Sequence, residues 1–161
     1  MYKVKWSPLV IITTIVIAVV FLCIDVYLIA GLIYSGNVIF HALLLIIINA
    51  VLFFVIINTP RFILLNDERL VVKKVFGEIQ IKYSDIIFAK TFNPSADLRV
   101  FGSGGFGGFI GKFSNNDYGW YSSYVLNTKQ SFFISIKDNK SYAFSCENSA
   151  EVVTKINTYI K

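Results

Sequence analysis

Two long apolar runs occupy the first third of the chain. The first extends from about residue 9 to 34, the second from about residue 38 to 57, and a short polar turn separates them. Each run reaches the ~20 apolar residues that a helix needs to cross a hydrocarbon layer roughly 30 Å thick. Because unpaired backbone groups are costly in lipid, both runs are predicted to be helical despite their β-branched residues. The pattern predicts a transmembrane hairpin over residues 1–60.

After Pro60, which cannot continue a helix, the chain changes to short segments in which apolar and polar residues alternate. Alternation between turn residues predicts β-strands. The predicted strands are 62–65, 70–72, 79–83, 86–89, 120–126, 131–136 and 141–144. In the tail, apolar residues recur at helical spacing over 152–160 and predict one amphipathic helix. Residues 61–161 are therefore predicted to form one domain of antiparallel strands closed by a C-terminal helix.

Basic residues lie at the outer ends of the two runs. Lys3 and Lys5 precede the first run, Arg61 and Arg69 follow the second, and the connecting turn has none. This distribution predicts that both termini are cytoplasmic in a multi-pass protein of the cell membrane. A cleaved signal peptide is the alternative for the first run, but its apolar stretch exceeds the ~7–15 residues of a signal core.

Asp25 is the single charged residue between Lys5 and Arg61. In a tight hairpin it would lie at nearly the same depth as Asn49, so the two side chains are predicted to form a hydrogen bond. One interpretation is a polar contact between helices or subunits. The other is proton or ion transport by an assembled oligomer, or a role in envelope stress, because an intramembrane carboxylate is a functional candidate.

Few residues in the soluble part carry catalytic or metal-binding chemistry. His41 is the only histidine, and Cys23 and Cys146 lie far apart in sequence. This composition predicts no catalytic site, no metal site, no cofactor and no enzymatic activity. Three glycines at 102, 104 and 107 match the dinucleotide-binding pattern formally, but no helix is predicted to begin there.

The charge of the soluble part is a mild excess of +4, from 13 lysines and arginines against 9 acids after residue 60. Its one basic doublet, Lys73 and Lys74, predicts a contact with anionic lipid head groups. No basic cluster accompanies a nucleic-acid-reading motif, so no nucleic-acid partner is predicted.

The most unusual soluble segment is the glycine- and aromatic-rich stretch at 99–112. It predicts a long loop whose aromatic rings either cap the domain or rest at the membrane, or a flexible lip that binds a peptide or protein partner. The candidate partner-binding residues are Arg99, Phe101, Gly102, Gly104, Gly105, Phe106, Phe109, Lys112 and Trp120.

Four segments together resemble the bacterial PH-like (pleckstrin-homology-like) domains. They are Arg99-Val100-Phe101-Gly102-Ser103-Gly104-Gly105, Gly111-Lys112-Phe113, Gly119 with Tyr121, and Tyr142-Ala143-Phe144-Ser145. The resemblance covers residues 61–161, although Ser145-Cys146 stands where Ser-Pro is usual. It implies a bent antiparallel sheet, barrel or sandwich capped by the C-terminal helix and attached to a membrane hairpin, an α+β membrane protein with no defined chemistry.

The sequence therefore favours a membrane-anchored PH-like binding or assembly module. Its expected partners are the lipid bilayer and either a protein partner or a second copy of itself. A subunit of a transport or envelope-stress system that uses Asp25, and a sensor of anionic lipid head groups, are the alternatives.

Overall fold

The structure, a computed structural model, describes residues 1–34, 37–94 and 97–160. The predicted turn at 35 and 36 lies outside the described residues. Two long helices come early in the chain, α1 (Pro8–Tyr34) and α2 (Val38–Asn58). Their mean hydropathies reach 3.0 and 2.9, and only 6% of each most apolar window is buried within the protein. Both helices are long and apolar enough to cross a membrane, and their bounds confirm the predicted helical runs.

The rest of the chain forms a sandwich of two sheets with a helix at its C-terminus. The first sheet has the order β1-β2-β3-β4 and contains Tyr2–Lys3, Pro60–Leu65, Arg69–Lys74 and Glu78–Lys82. The second sheet has the order β5-β9-β10-β8-β7-β6. Its strands in chain order are Ile86–Thr91 (β5), Leu98–Gly105 (β6), Gly108–Asn115 (β7), Gly119–Val125 (β8), Ser131–Ile136 (β9) and Lys140–Ser145 (β10). Helix α3 (Ser149–Ile160) closes the sandwich.

Two features of the sheets correct the sequence predictions. The glycine-rich segment is a β-hairpin, β6–β7, rather than a long loop. Strand β10 pairs with β8 in parallel, so the second sheet is mixed rather than wholly antiparallel. The parallel pair arises because β9 lies on the far side of β10 from β8, which makes the chain skip one position in the sheet.

The main core lies between the two sheets and α3. Ile63 and Leu70 come from the first sheet, Phe132 and Phe144 from the second, and Ile156 from α3, and all five are fully buried. Because side chains alternate along a strand, the neighbouring residues of the second sheet face the opposite side. There an aromatic cluster centred on Phe113, Tyr121 and Phe133 covers the other face of that sheet.

The first residues of the chain also belong to the sandwich, which the sequence analysis did not predict. Strand β1 pairs with β2 in antiparallel orientation, with Tyr2 opposite Ile63. The Tyr2 hydroxyl donates to Glu151 of α3 and accepts from Lys155, each at 2.9 Å. Chain segments on both sides of the helix pair are thus held in one sheet, and α1 and α2 leave the sandwich side by side.

Candidate functional site

The β6–β7 hairpin reverses in two residues, Phe106 and Gly107. Gly107 has a φ of 64°, a left-handed conformation that glycine adopts without a steric penalty. The hydroxyl of Ser103 donates to the carbonyl of Phe106 and closes the turn. This turn, residues 105–108, is called the hairpin tip below, and it contacts both apolar helices.

Two threonines of α1 hold the hairpin tip through hydrogen bonds. The Thr13 hydroxyl donates to the carbonyl of Gly105 at 3.0 Å, and the backbone N–H of Gly107 donates to the Thr14 hydroxyl at 2.9 Å. No pattern in the sequence indicated a role for these threonines. The signal for them was weak: two adjacent hydroxyls in an otherwise apolar helix, 92 and 93 residues away from their partners.

Helix α2 packs against the same tip through Val55, which is 3% exposed. A Cβ atom added at Gly107 would lie only 2.5 Å from a Val55 methyl carbon, so the close approach requires glycine. Two edge-to-face aromatic pairs extend the contact, Phe21 with Phe106 and Phe54 with Phe101, both with ring centroids 6.1 Å apart. The tip therefore rests in the angle between both helices.

The strands behind the tip approach each other closely at one glycine pair. Gly102 lies opposite Gly111, and an added Cβ on either would lie 2.1 Å from a backbone carbonyl oxygen of the opposite strand. Just before this pair the register of β6 shifts between Arg99 and Phe101. The glycines thus allow the two strands of the hairpin to approach each other closely.

A groove of about 750 Å³ lies between the edge strand β6 and the two helices. Ile17 and Phe21 of α1 form one wall, and Ile47, Val51 and Phe54 of α2 form part of the other. The residues of β6 complete the lining, and they run from Arg99 to Ser103. Among the described lining residues, Arg99 is the one ionisable side chain.

The predicted partner-binding residues divide between two ends of the sheet. Arg99, Phe101, Gly102, Gly104, Gly105 and Phe106 lie in β6 or at the tip. Phe109 lies on the face of the second sheet that carries the aromatic cluster, and it packs near Phe113 with ring centroids 6.3 Å apart.

Lys112 and Trp120 lie toward the far end of the sheet, where Trp120 pairs with Ser114, six strand positions from the tip. There they line a second groove, of about 350 Å³, together with Ser122 and Tyr142. The Lys112 ammonium donates to Ser122 at 2.8 Å, and Trp120 is 65% exposed.

The basic doublet does not present two free ammonium groups. Lys73 forms an ion pair with Glu78, and this hydrogen bond, helped by one from Gln80, lowers the pKa of the Glu78 carboxyl. Lys74 donates to Asn58 at 2.9 Å, and burial lowers the pKa of its ammonium. Its predicted contact with lipid head groups stays a prediction.

Asp25 of α1 and Asn49 of α2 lie within hydrogen-bonding distance of each other. The Asn49 amide donates to the Asp25 carboxylate at 3.2 Å and to the carbonyl of Leu45 at 2.9 Å. The geometry joins α1 to α2, as expected of a polar contact between helices.

Burial disfavours the charged forms of two side chains inside the sandwich, Cys146 and Tyr121. Cys146 is 2% exposed, and burial raises the pKa of its thiol to about 12. Burial and a hydrogen bond to Asp97 also raise the pKa of Tyr121. Within residues 1–34, 37–94 and 97–160, no three histidine, cysteine or acidic side chains lie close enough together to hold a metal ion.

Comparison with known proteins gives one match. Residues 61–160 match a family model described as a bacterial PH domain. Searches of curated proteins and of solved structures returned no match to this chain. The matched segment begins one residue after the start of β2 and ends with α3.

Proposed function

This chain belongs to the bacterial PH domain family, and on that premise we propose that it is a membrane-anchored binding module. Helices α1 and α2 hold the PH-like domain at the cytoplasmic face of the cell membrane. The far end of the second sheet, around Trp120, contacts a protein partner there. The family supports a binding role, and the exposed tryptophan is the observation that supports a protein contact.

The anchor is supported by the dimensions of the helices. With 27 and 21 residues, α1 and α2 are about 40 and 32 Å long at ~1.5 Å per residue, enough for a hydrocarbon core of roughly 30 Å. Their outward faces are apolar and exposed. The pairing of β1, which precedes α1, with β2, which follows α2, supports a hairpin whose two ends lie on one side of the bilayer. The flanking lysines and arginines make that side cytoplasmic.

The proposed contact surface lies far from the anchor. It consists of Trp120, Lys112, Lys140 and Tyr142, which line the groove of about 350 Å³. Six strand positions at ~3.3 Å place Trp120 about 20 Å from the hairpin tip. Tryptophan and tyrosine dominate the energetics of protein interfaces. Two lysines beside them favour an acidic surface on the partner.

Site-specific photocrosslinking in native membranes tests the contact. A photoreactive amino acid at Trp120 should give a discrete protein adduct, and Lys112→Glu should abolish it. The same probe at Ile87, 58% exposed on the opposite edge strand β5, serves as the control and should give no such adduct. Equal adducts at both positions, or none at Trp120, would refute the proposed surface.

The anchor has its own test. The full chain should stay in the membrane pellet after washing with alkaline carbonate, which releases peripheral proteins. Release into the supernatant would contradict the anchor, whatever the result at Trp120.

A further inference from the structure

We infer that two copies of this chain form a dimer within the membrane, through the pair Asp25 and Asn49 of each copy. The second copy supplies partners for two side-chain oxygen atoms that a single helix pair leaves without one. This inference rests on the membrane anchor proposed above. It assigns a partner to a face of the helices that the contact surface around Trp120 does not involve.

The polar pair lies near the middle of the hydrocarbon layer. Asp25 is nine residues before the end of α1 at Tyr34, and Asn49 is eleven residues after the start of α2 at Val38. At ~1.5 Å per residue, the two side chains lie about 14 and 17 Å from the outer ends of the helices, close to the centre of a layer roughly 30 Å thick. Both side chains are too short to reach the head groups from there. Polar groups at this depth are costly unless another polar group binds them.

The contact within one chain leaves two oxygen atoms open. The Asn49 amide nitrogen donates to Oδ1 of Asp25 and to the carbonyl of Leu45, which uses both of its N–H groups. In the described part of the chain, neither Oδ2 of Asp25 nor Oδ1 of Asn49 takes part in a hydrogen bond. Asn49 is exposed and Asp25 is partly exposed, so the pair lies at the surface of the helices. Each helix pair therefore presents an incomplete polar contact to the hydrocarbon.

The two open atoms fit a second copy of the same pair. In hydrocarbon a carboxyl group is far less costly in its neutral form, which has one O–H donor, and the Asn49 oxygen is an acceptor. Two copies related by a two-fold axis along the membrane normal exchange two hydrogen bonds, from Asp25 of each copy to Asn49 of the other. This exchange requires the two residues to lie at similar depth, as they do. A different membrane protein would need its own donor and acceptor at that depth.

Exposed apolar side chains surround the polar pair and provide packing for a dimer. On each helix, one apolar residue lies three positions before the polar residue and another lies four positions after it, a spacing that places them on one side of the helix. These residues are Leu22, Ile29, Ile46 and Phe53, and they are between 49% and 64% exposed. None of them lines the groove beside β6, so this face lies apart from the hairpin tip. Association of helices in lipid depends on such packing together with interhelical hydrogen bonds.

Energy transfer between fluorescent labels on the purified full chain in liposomes tests the inference. The labels are attached at Ile87→Cys on β5 in a Cys23→Ser background, since Cys146 is buried. Energy transfer should rise with the protein-to-lipid ratio as expected for a monomer–dimer equilibrium. Asp25→Leu should weaken the dimer about tenfold, equivalent to ~1.4 kcal/mol. The exchange of Asp25→Asn with Asn49→Asp keeps one carboxyl and one amide group in each chain and should restore the dimer.

Two neighbouring tryptophan substitutions leave the polar pair of each chain intact and serve as a matched comparison. Ile46→Trp lies on the proposed dimer face and should prevent the dimer. Ile47→Trp lies in the groove beside β6 and should leave the dimer unchanged. A chain that stays monomeric, an oligomer of more than two copies, an unchanged dimer in Asp25→Leu, no recovery in the exchange variant, or equal effects of the two tryptophans would overturn the inference. Because carbonate washing tests the anchor independently, an anchored chain that stays monomeric refutes the dimer alone.

Discussion

The substitution Gly107→Ala tests the contact between the hairpin tip and the helices. Gly107 has a φ of 64°, and an added Cβ would lie 2.5 Å from Val55. Gly119, the first residue of β8, has a φ of 65° with no atom within 4 Å of its added Cβ. The two glycines therefore share the conformational penalty of alanine and differ in the contact with α2.

The expected changes in the free energy of unfolding follow from the backbone conformation and from the contact with α2. A left-handed alanine costs roughly 1–2 kcal/mol, offset by ~0.4–1 kcal/mol because alanine restricts the unfolded chain. Gly119→Ala should therefore lower the free energy of unfolding by about 1 kcal/mol. Gly107→Ala should cost about 1–3 kcal/mol more, the usual penalty for overpacking, because carbon atoms normally stay ~3.5–4.0 Å apart.

Thermal unfolding of the full chain in detergent, followed by circular dichroism, measures the difference. For a chain of this size, each kcal/mol corresponds to roughly 2–4 °C in Tm. Val55→Ala opens space, so Gly107→Ala in that background should cost about as much as Gly119→Ala. The double-mutant cycle then returns a coupling energy of about 1–3 kcal/mol. Equal costs of the two glycine substitutions, or a coupling energy of zero, would refute the packing of the tip on α2.

Two further predictions concern the helix pair and the buried thiol. Asn49→Leu removes the donor to Asp25 and should lower the stability of the helix pair by about 0.6 kcal/mol in a detergent unfolding assay. Asp25→Asn keeps a hydrogen-bonding group, so loss of cellular function with normal stability and assembly would instead favour the transport alternative. Burial raises the pKa of Cys146 from 9.0 to about 12, so between these values the unfolded state loses the thiol proton first. The free energy of unfolding should be insensitive to this group below pH 9 and fall above it, by at most about 1.4 kcal/mol per pH unit. Cys146→Ala should flatten that decline in circular dichroism between pH 9 and 11, and an unchanged slope would contradict the burial argument.

Much of the fold follows from hydrophobic pattern. The predicted runs at 9–34 and 38–57 differ from Pro8–Tyr34 and Val38–Asn58 by one residue at two of their four ends. Long apolar runs leave only helices as a way to satisfy the backbone in lipid. The later strands and α3 were also predicted by this pattern. Each of them buries one face, so apolar residues recur along the chain with the period of a strand or of a helix.

The sequence pattern did not predict β6 and β7 as strands, because the residues of this hairpin are unfavourable in strands. Glycine is depleted in strands, and no alternation of apolar and polar residues marks 102–108. Pairing of Gly102 with Gly111 allows the strands to approach closely, and α1 and α2 supply the apolar contacts for the tip. Strand β1 was missed for a related reason, since two residues are too few to show any period.

The candidate sites, like the fold, could be predicted only in part from the sequence. Sequence alone identified the segment with Arg99 and the aromatic residues, and also the contact between Asp25 and Asn49, because unusual residues in a uniform context stand out. It did not indicate that Thr13 and Thr14 bind the tip, or that Lys112 and Trp120 lie far from it.

Residue types along the chain determined which segments are helices and where most strands lie. Only the tertiary structure decided that the hairpin tip meets the helices, and that a groove with one arginine lies between them. Hydrophobic periodicity is a local property of neighbouring residues. Contacts across more than ninety residues depend instead on how whole elements pack, which no local pattern records.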